Sequence, residues 1–135
     1  MKKVKQKKAV KKIEKPFADG TMSSSAFFGM IRAALRNKSR FFESVRICRE
    51  RQKVAYTGSN KRRKWSYECE HCHKLFEAPM TTVHHRMECG SLNSFEDLPG
   101  FVSRLFCKSD DLILLCKDCH TKEHERLKKL KGLRT

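Results

Sequence analysis

The hydrophobic pattern of the first half of the chain has a helical period. Serines at 23–25 can cap a helix N-terminus, and two apolar sets follow at helical spacing. The first set consists of Phe27, Phe28, Ile31, Ala34 and Leu35, and the second of Phe41, Phe42, Val45 and Cys48. The pattern predicts helix to about Lys53, with both sets in the core. Four basic residues lie mostly off these stripes and suit a DNA-facing surface or a solvated face equally well: Arg32, Arg36, Lys38 and Arg40.

The pattern changes after a polar segment at 56–64, which predicts a turn and a basic linker. Trp65 and Tyr67 then lead into a Cys-x-x-Cys turn, and Leu75-Phe76 follows it. Aromatic residues on both sides of such a turn are typical of a zinc-ribbon hairpin, in which the metal fixes the turn.

Short strands and one long helix are predicted in the last third of the chain. The β-branched run at 80–85 predicts a strand that ends in a pair of histidines. The apolar run at 111–115 predicts a second strand, antiparallel to 81–85, and helix should follow from about 118 to 130. Between the strands, residues 91–110 form an insertion with one short helix, preceded by Ser94 or broken near Pro99.

These elements predict an α+β fold in three parts. Residues 1–22 are a basic arm, because residues 1–16 contain eight lysines and one acid. Such an arm is a disordered tail or a segment that follows a phosphate backbone, and both descriptions are compatible. Residues 23–64 form a helical region with the basic linker, and residues 65–135 form a small zinc-stabilised domain.

The composition favours an anionic partner. The 135 residues carry a net charge of +16, from 31 Lys and Arg against 15 Asp and Glu. Nucleic acid is the leading candidate and a membrane surface the second. No apolar run approaches the roughly 18 residues of a membrane span, and no apolar segment of a secretory signal follows the first lysines. We therefore expect a cytoplasmic protein in a reducing compartment.

Four of the seven cysteines form two pairs with zinc spacing: Cys69 with Cys72, and Cys116 with Cys119. Two close pairs of thiolates suit a tetrahedral Zn²⁺, and four thiolates leave no open position on the ion. The predicted Zn²⁺ is therefore structural. The remaining three cysteines, Cys48, Cys89 and Cys107, are expected to be buried small residues.

Four histidines fall on the predicted strand and helix. His84 and His85 end the strand, while His120 and His124 project from one face of the helix. The motifs C-x2-C, V-H-H and D-L-I-L-L-C-K-D-C-H-x3-H together resemble the HNH endonucleases, whose core is a ββα-metal motif. The pattern is most similar to the zinc-ribbon-bearing branch found in bacteriophages and mobile elements. The resemblance covers roughly residues 65–126.

The resemblance implies a metal-dependent endonuclease that hydrolyses DNA phosphodiester bonds. His85 matches the family's general base, and His84 and His120 match ligands of one catalytic divalent ion, Mg²⁺, Mn²⁺, Ni²⁺ or Zn²⁺. His124 matches a further ligand that some members use. Asp111 stands where the family has an Asn that orients the base. An Asp accepts such hydrogen bonds but lacks the amide donor.

Basic residues near these motifs are candidates for phosphate contacts: Lys61, Arg62, Arg63, Lys64 and Arg86. A solubilising loop and a surface charge are the alternatives for these positions. We expect double-stranded DNA as the partner and, for a phage-encoded protein, the host cytoplasm as the location; the oligomeric state stays open. Two other functions fit the sequence: a non-catalytic zinc-ribbon protein that binds nucleic acid, and a phage packaging-associated protein that uses the nuclease core as a scaffold.

Overall fold

In the computed structural model, residues 11–133 are described, and they confirm the predicted α+β class. They form four α-helices, one three-stranded antiparallel sheet and one two-stranded antiparallel sheet. The helices are α1 (Ser24–Ser39), α2 (Glu43–Arg51), α3 (Leu98–Leu105) and α4 (Lys117–Gly132). The strands are β1 (Lys53–Ala55), β2 (Trp65–Glu68), β3 (Leu75–Phe76), β4 (Thr81–His85) and β5 (Leu112–Cys116). Within the described range no helix is both long enough and apolar enough to cross a bilayer.

A strand–strand–helix unit forms the C-terminal part of the fold. β4 pairs antiparallel with β5, so that Thr81 lies opposite Cys116 and His85 opposite Leu112. α4 begins directly after β5, and the Cys116 sulfur caps it by accepting the backbone N–H of Cys119. The two strands and the helix predicted at 81–85, 111–115 and 118–130 are confirmed to within two residues.

The hairpin predicted around the Cys69–Cys72 turn is present as β2 and β3, but it has a third strand that the sequence pattern did not reveal. β1 pairs antiparallel with β2, Lys53 facing Tyr67 and Ala55 facing Trp65. The helix predicted to about Lys53 thus ends two residues earlier, and residues 56–64 form the predicted turn, but this turn joins two paired strands and is not a linker between separate parts. Helix α2 ends at Arg51, and residues 56–64 are the loop of a hairpin, closed by a bond from the Tyr56 N–H to the Lys64 carbonyl.

The helices α1 and α2 belong to the same packed body as the two sheets. Ser23 caps α1 as predicted, and the chain turns at 40–42 before α2 begins. Cys48 of α2 is fully buried against Leu112 and Leu114 of β5. The parts predicted as residues 23–64 and 65–135 thus share a core, because α2 covers the outer face of the β4–β5 pair.

A second core cluster joins α1 to the insertion between β4 and β5. Its buried members are Phe28, Cys89, Leu92, Phe101 and Leu105. Phe17 packs on this cluster through stacked and edge-to-face ring contacts. The predicted arm of residues 1–22 therefore ends before Phe17, and residues 1–10 of it lie outside the described range. α3 carries Pro99 in its first turn, where the missing N–H costs nothing, so the helix starts there instead of breaking.

Candidate functional site

The four cysteines with zinc spacing lie together, two in the β2–β3 turn and two at the start of α4. Their sulfur atoms are all within 4.8 Å of one another, and the Cys72 and Cys116 sulfurs are 4.0 Å apart. Zn–S bonds of about 2.3 Å in a tetrahedron place sulfurs about 3.8 Å apart, so the cluster is compatible with a structural Zn²⁺. Three of the four cysteines are buried, which suits a closed site.

The electrostatics of this cluster fit a cation. Burial alone would raise the pKa of the Cys69 thiol, but backbone N–H donors from Cys72, Cys116 and His71 outweigh it and lower the pKa to about 7. Burial, together with hydrogen bonds to the neighbouring sulfurs, raises the pKa of Cys119 to about 12. One thiolate is thus favoured while a buried neighbour keeps its proton. A divalent cation would stabilise all four cysteines as thiolates, including Cys119.

A carboxylate ties the zinc-ribbon turn to the strand–strand–helix unit. Glu70 lies inside the turn, and its side chain accepts the backbone N–H of Leu114 at 2.6 Å. Its own backbone N–H donates to the Leu114 carbonyl at 2.9 Å. Arg51 lies 3.4 Å from the same carboxylate and also donates to the carbonyl of Leu112. β5 is therefore held by β4 on one edge and by the turn on the other.

Three histidines from β4 and α4 form a second cluster. One ring nitrogen from each of His84, His120 and His124 lies within 4.8 Å of the others, and the His120 and His124 Nε2 atoms are 3.0 Å apart. The one-turn spacing on α4 places His120 and His124 on the same face, and β4 brings His84 against them. Metal–nitrogen bonds of about 2.0 Å require such separations, so the donor set fits one cation bound by three imidazoles.

Two of these histidines favour the neutral form that binds metal. Burial, and next the neighbouring His120 and His124, lower the pKa of His84 below its usual value. Burial, and next His124, lower the pKa of His120. Neutral imidazole has a free lone pair, so little proton displacement is needed for metal binding at neutral pH.

His85 is oriented differently from His84. Its Nε2 lies 2.9 Å from the backbone carbonyl of Leu105, at the end of α3. A carbonyl oxygen only accepts, so Nε2 carries the proton and Nδ1 keeps the lone pair in the neutral ring. The residue is half-buried and lines the same cleft as the three clustered histidines. The ring is thus held with a basic nitrogen available.

Asp111 does not have the contacts predicted for it. Its backbone carbonyl accepts the N–H of Arg86 across the strand pair, but its exposed carboxylate bonds to no residue in the 11–133 range. The orientation of His85 comes instead from the Leu105 carbonyl. Sequence reasoning missed this partner because a backbone carbonyl leaves no signal in the residue types.

The clustered histidines open into a cleft of about 810 Å³. β4 and α4 form one side, and the C-terminal half of α1 forms the other with Arg36 and Arg40. Both arginines belong to the basic set whose role the sequence left open. Their spacing of one helical turn was the available signal, but only the tertiary fold places them across from the histidines.

The basic residues predicted to contact phosphate lie elsewhere. Arg63 packs on the Tyr56 ring and bonds to the Trp65 carbonyl and the Ser66 hydroxyl, so its guanidinium is engaged within the fold. Lys61, Arg62 and Lys64 are exposed on the same loop, away from the cleft. Arg86 is also exposed and donates to the Asp110 carbonyl beyond the end of β4.

No protein-family model, curated protein or solved structure matches this chain. The resemblance to HNH endonucleases therefore rests on the motif residues.

Proposed function

We propose that this protein is a metal-dependent endonuclease of the HNH type that hydrolyses DNA phosphodiester bonds. The observation that carries the proposal is the convergence of His84, His120 and His124 beside His85 in one open cleft. A purely structural role would not need three imidazoles facing one another at a cleft in a protein whose cysteine cluster already supplies four sulfurs for a closed metal site.

His85 is the general base in this proposal. Its Nδ1 has a lone pair because its Nε2–H donates to Leu105, and the hydrogen bond fixes the ring. Histidine is the side chain that most often takes a proton from water as a general base in enzymes. The Leu105 carbonyl also stabilises the imidazolium formed when Nδ1 accepts that proton, since it keeps accepting from Nε2.

His84, His120 and His124 would hold the catalytic cation, and His85 stays free of it. When bound, such a cation polarises a phosphoryl oxygen and stabilises negative charge on the leaving oxygen. Three nitrogen ligands suit several first-row ions, with Mn²⁺, Ni²⁺ and Zn²⁺ among them. β4 presents His84 and α4 presents the other two, and the structural cysteine cluster fixes the start of α4 against the β2–β3 turn.

The test is nicking of supercoiled plasmid with Mg²⁺, Mn²⁺ or Ni²⁺. His85→Ala should lower the cleavage rate about 10²–10⁴-fold, as expected for the loss of a general base. DNA affinity and zinc content should stay at the wild-type values, and the melting temperature should fall by only a few degrees, because the Leu105 carbonyl loses one hydrogen bond. The matched control is His73→Asn, because His73 is exposed, lies outside the cleft and has a φ of 60°, which Asn tolerates.

Cleavage by His85→Ala at the wild-type rate would refute the assignment of the base. A wild-type protein that binds DNA tightly but does not nick it, whichever of the three divalent ions is added, would favour the non-catalytic alternative. One specific observation favours this non-catalytic alternative. Asp111 stands in place of the family's Asn, and its carboxylate forms no hydrogen bond within residues 11–133.

A further inference from the structure

The C-terminal end of α1 lines the same cleft as the histidine cluster. Arg36 and Arg40 lie one turn apart there, and both line the cleft. Neither guanidinium forms an ion pair or a hydrogen bond with any residue of the described chain. The Arg36 guanidinium lies 5.7 Å from the centre of the Phe101 ring, which supports it without using its N–H groups.

The charges of this cleft leave both arginines available for an external anion. The cleft also contains Glu88 and Lys131, which pair with each other at 2.8 Å. The opposite charges of Glu88 and Lys131 neutralise each other, so the net positive charge of the cleft comes from Arg36 and Arg40. Two guanidinium groups spaced by one helical turn can each donate a fork of N–H groups to one phosphate.

The next residue, Phe41, has the most exposed large apolar side chain in the region around the cleft. Its exposure is 82 %, and the Arg40 guanidinium lies 5.8 Å from its ring centre. Single exposed apolar residues are common on protein surfaces. The backbone that carries Phe41 is held in place by hydrogen bonds. The Phe41 and Phe42 N–H groups donate to the carbonyls of Lys38 and Ser39, and the Phe42 ring packs edge-on against Phe106.

We infer that the end of α1 binds the substrate as a nucleic-acid strand with an unpaired base next to the site of cleavage. Arg36 and Arg40 bind consecutive phosphates, and the Phe41 ring stacks on the unpaired base. An aromatic ring beside a positive groove is how proteins bind unpaired nucleic acid, because every base has a flat face. Paired DNA would offer the two arginines its phosphates but would offer Phe41 no free base.

This inference rests on the proposed function for the identity of the reacting bond, but its test uses binding alone. Fluorescence anisotropy is measured with His85→Ala, so that the oligonucleotide stays intact, for single-stranded DNA and for a fully paired duplex of the same sequence. Arg36→Ala and Arg40→Ala should each weaken binding of both DNAs about tenfold, because each removes a charge-assisted contact. The double variant should lower the slope of log affinity against log salt by roughly 1.5 to 2.

Phe41→Ala should weaken binding of the single strand roughly tenfold and leave the duplex nearly unchanged. Phe41→Tyr should restore the single-strand affinity, while Phe41→Leu should not, because leucine keeps apolar volume without a flat ring. Lys38→Ala is the matched control for charge, since Lys38 is exposed on the same helix but does not line the cleft.

Equal losses for Lys38→Ala and Arg36→Ala would overturn the phosphate assignment, because they would mean that only net charge matters. Equal losses on single strand and duplex for Phe41→Ala would overturn the stacking assignment. Neither result depends on cleavage. A wild-type protein that binds as inferred but does not cut would refute only the proposed function.

Discussion

Replacing Glu70 with alanine tests whether the β2–β3 turn and the strand–strand–helix unit are held together by one carboxylate. The Glu70 side chain is 16 % exposed and accepts the N–H of Leu114, a residue with no exposed surface. Glu70→Ala leaves this N–H unpaired, which costs about 1–3 kcal/mol. The Arg51–Glu70 pair is 3.4 Å long and partly exposed, so its loss adds at most about 0.5 kcal/mol.

The total loss in the free energy of unfolding is then about 1–3.5 kcal/mol, or a drop in melting temperature of roughly 4–12 °C for a chain of this size. Glu70→Gln is the matched control. Its amide oxygen still accepts from Leu114, so it should lose less than about 1 kcal/mol.

Urea denaturation of the zinc-loaded protein, followed by circular dichroism, measures both variants. Equal destabilisation by Glu70→Ala and Glu70→Gln would show that the stability contribution of Glu70 comes from its negative charge and not from the oxygen that accepts the Leu114 N–H. A Glu70→Ala variant within about 0.5 kcal/mol of the wild type would refute the reasoning, because it would mean that the Leu114 N–H finds another partner.

Two further predictions concern the cysteines. Cys116→Ser removes a sulfur of the structural cluster but keeps a hydroxyl that can cap α4, so any effect reports the metal site. Bound zinc should fall below one per chain, and helical signal should decrease because metal binding stabilises the fold. Metal analysis with circular dichroism checks this, and a folded, zinc-free variant would contradict it. Burial raises the pKa of the Cys48 and Cys89 thiols, so iodoacetamide at pH 8 should leave both unmodified in the folded protein and should modify both in urea. Peptide mass spectrometry locates the adducts, and labelling of Cys48 without urea would show that α2 opens readily.

The sequence predicted the strand–strand–helix unit well because its patterns are local. The β-branched run to His85, the apolar run to Cys116 and the basic helix after it each have a clear period, and two Cys-x-x-Cys pairs mark which ends must meet. Those pairs limit the number of possible arrangements, since the four sulfurs can meet only if the β2–β3 turn lies at the start of α4.

The parts that sequence reasoning missed depend on contacts between distant segments. β1 has only three residues and is defined by its pairing with β2, so the helical period of the preceding residues hid it. The orientation of His85 depends on a carbonyl at the end of α3, and the role of Arg36 and Arg40 depends on the packing of α1 across the cleft. No local pattern encodes either relation.

The central claim is that His84, His120 and His124 bind one divalent cation separately from the cysteine cluster. Titration of the zinc-loaded protein with Co²⁺, followed by calorimetry and visible absorption, measures this directly. We predict one additional Co²⁺ per chain in the wild type and in His73→Asn, and no additional Co²⁺ in His120→Ala, whose structural zinc should remain. A second ion bound equally well by His120→Ala, or none bound by the wild type, would contradict the claim.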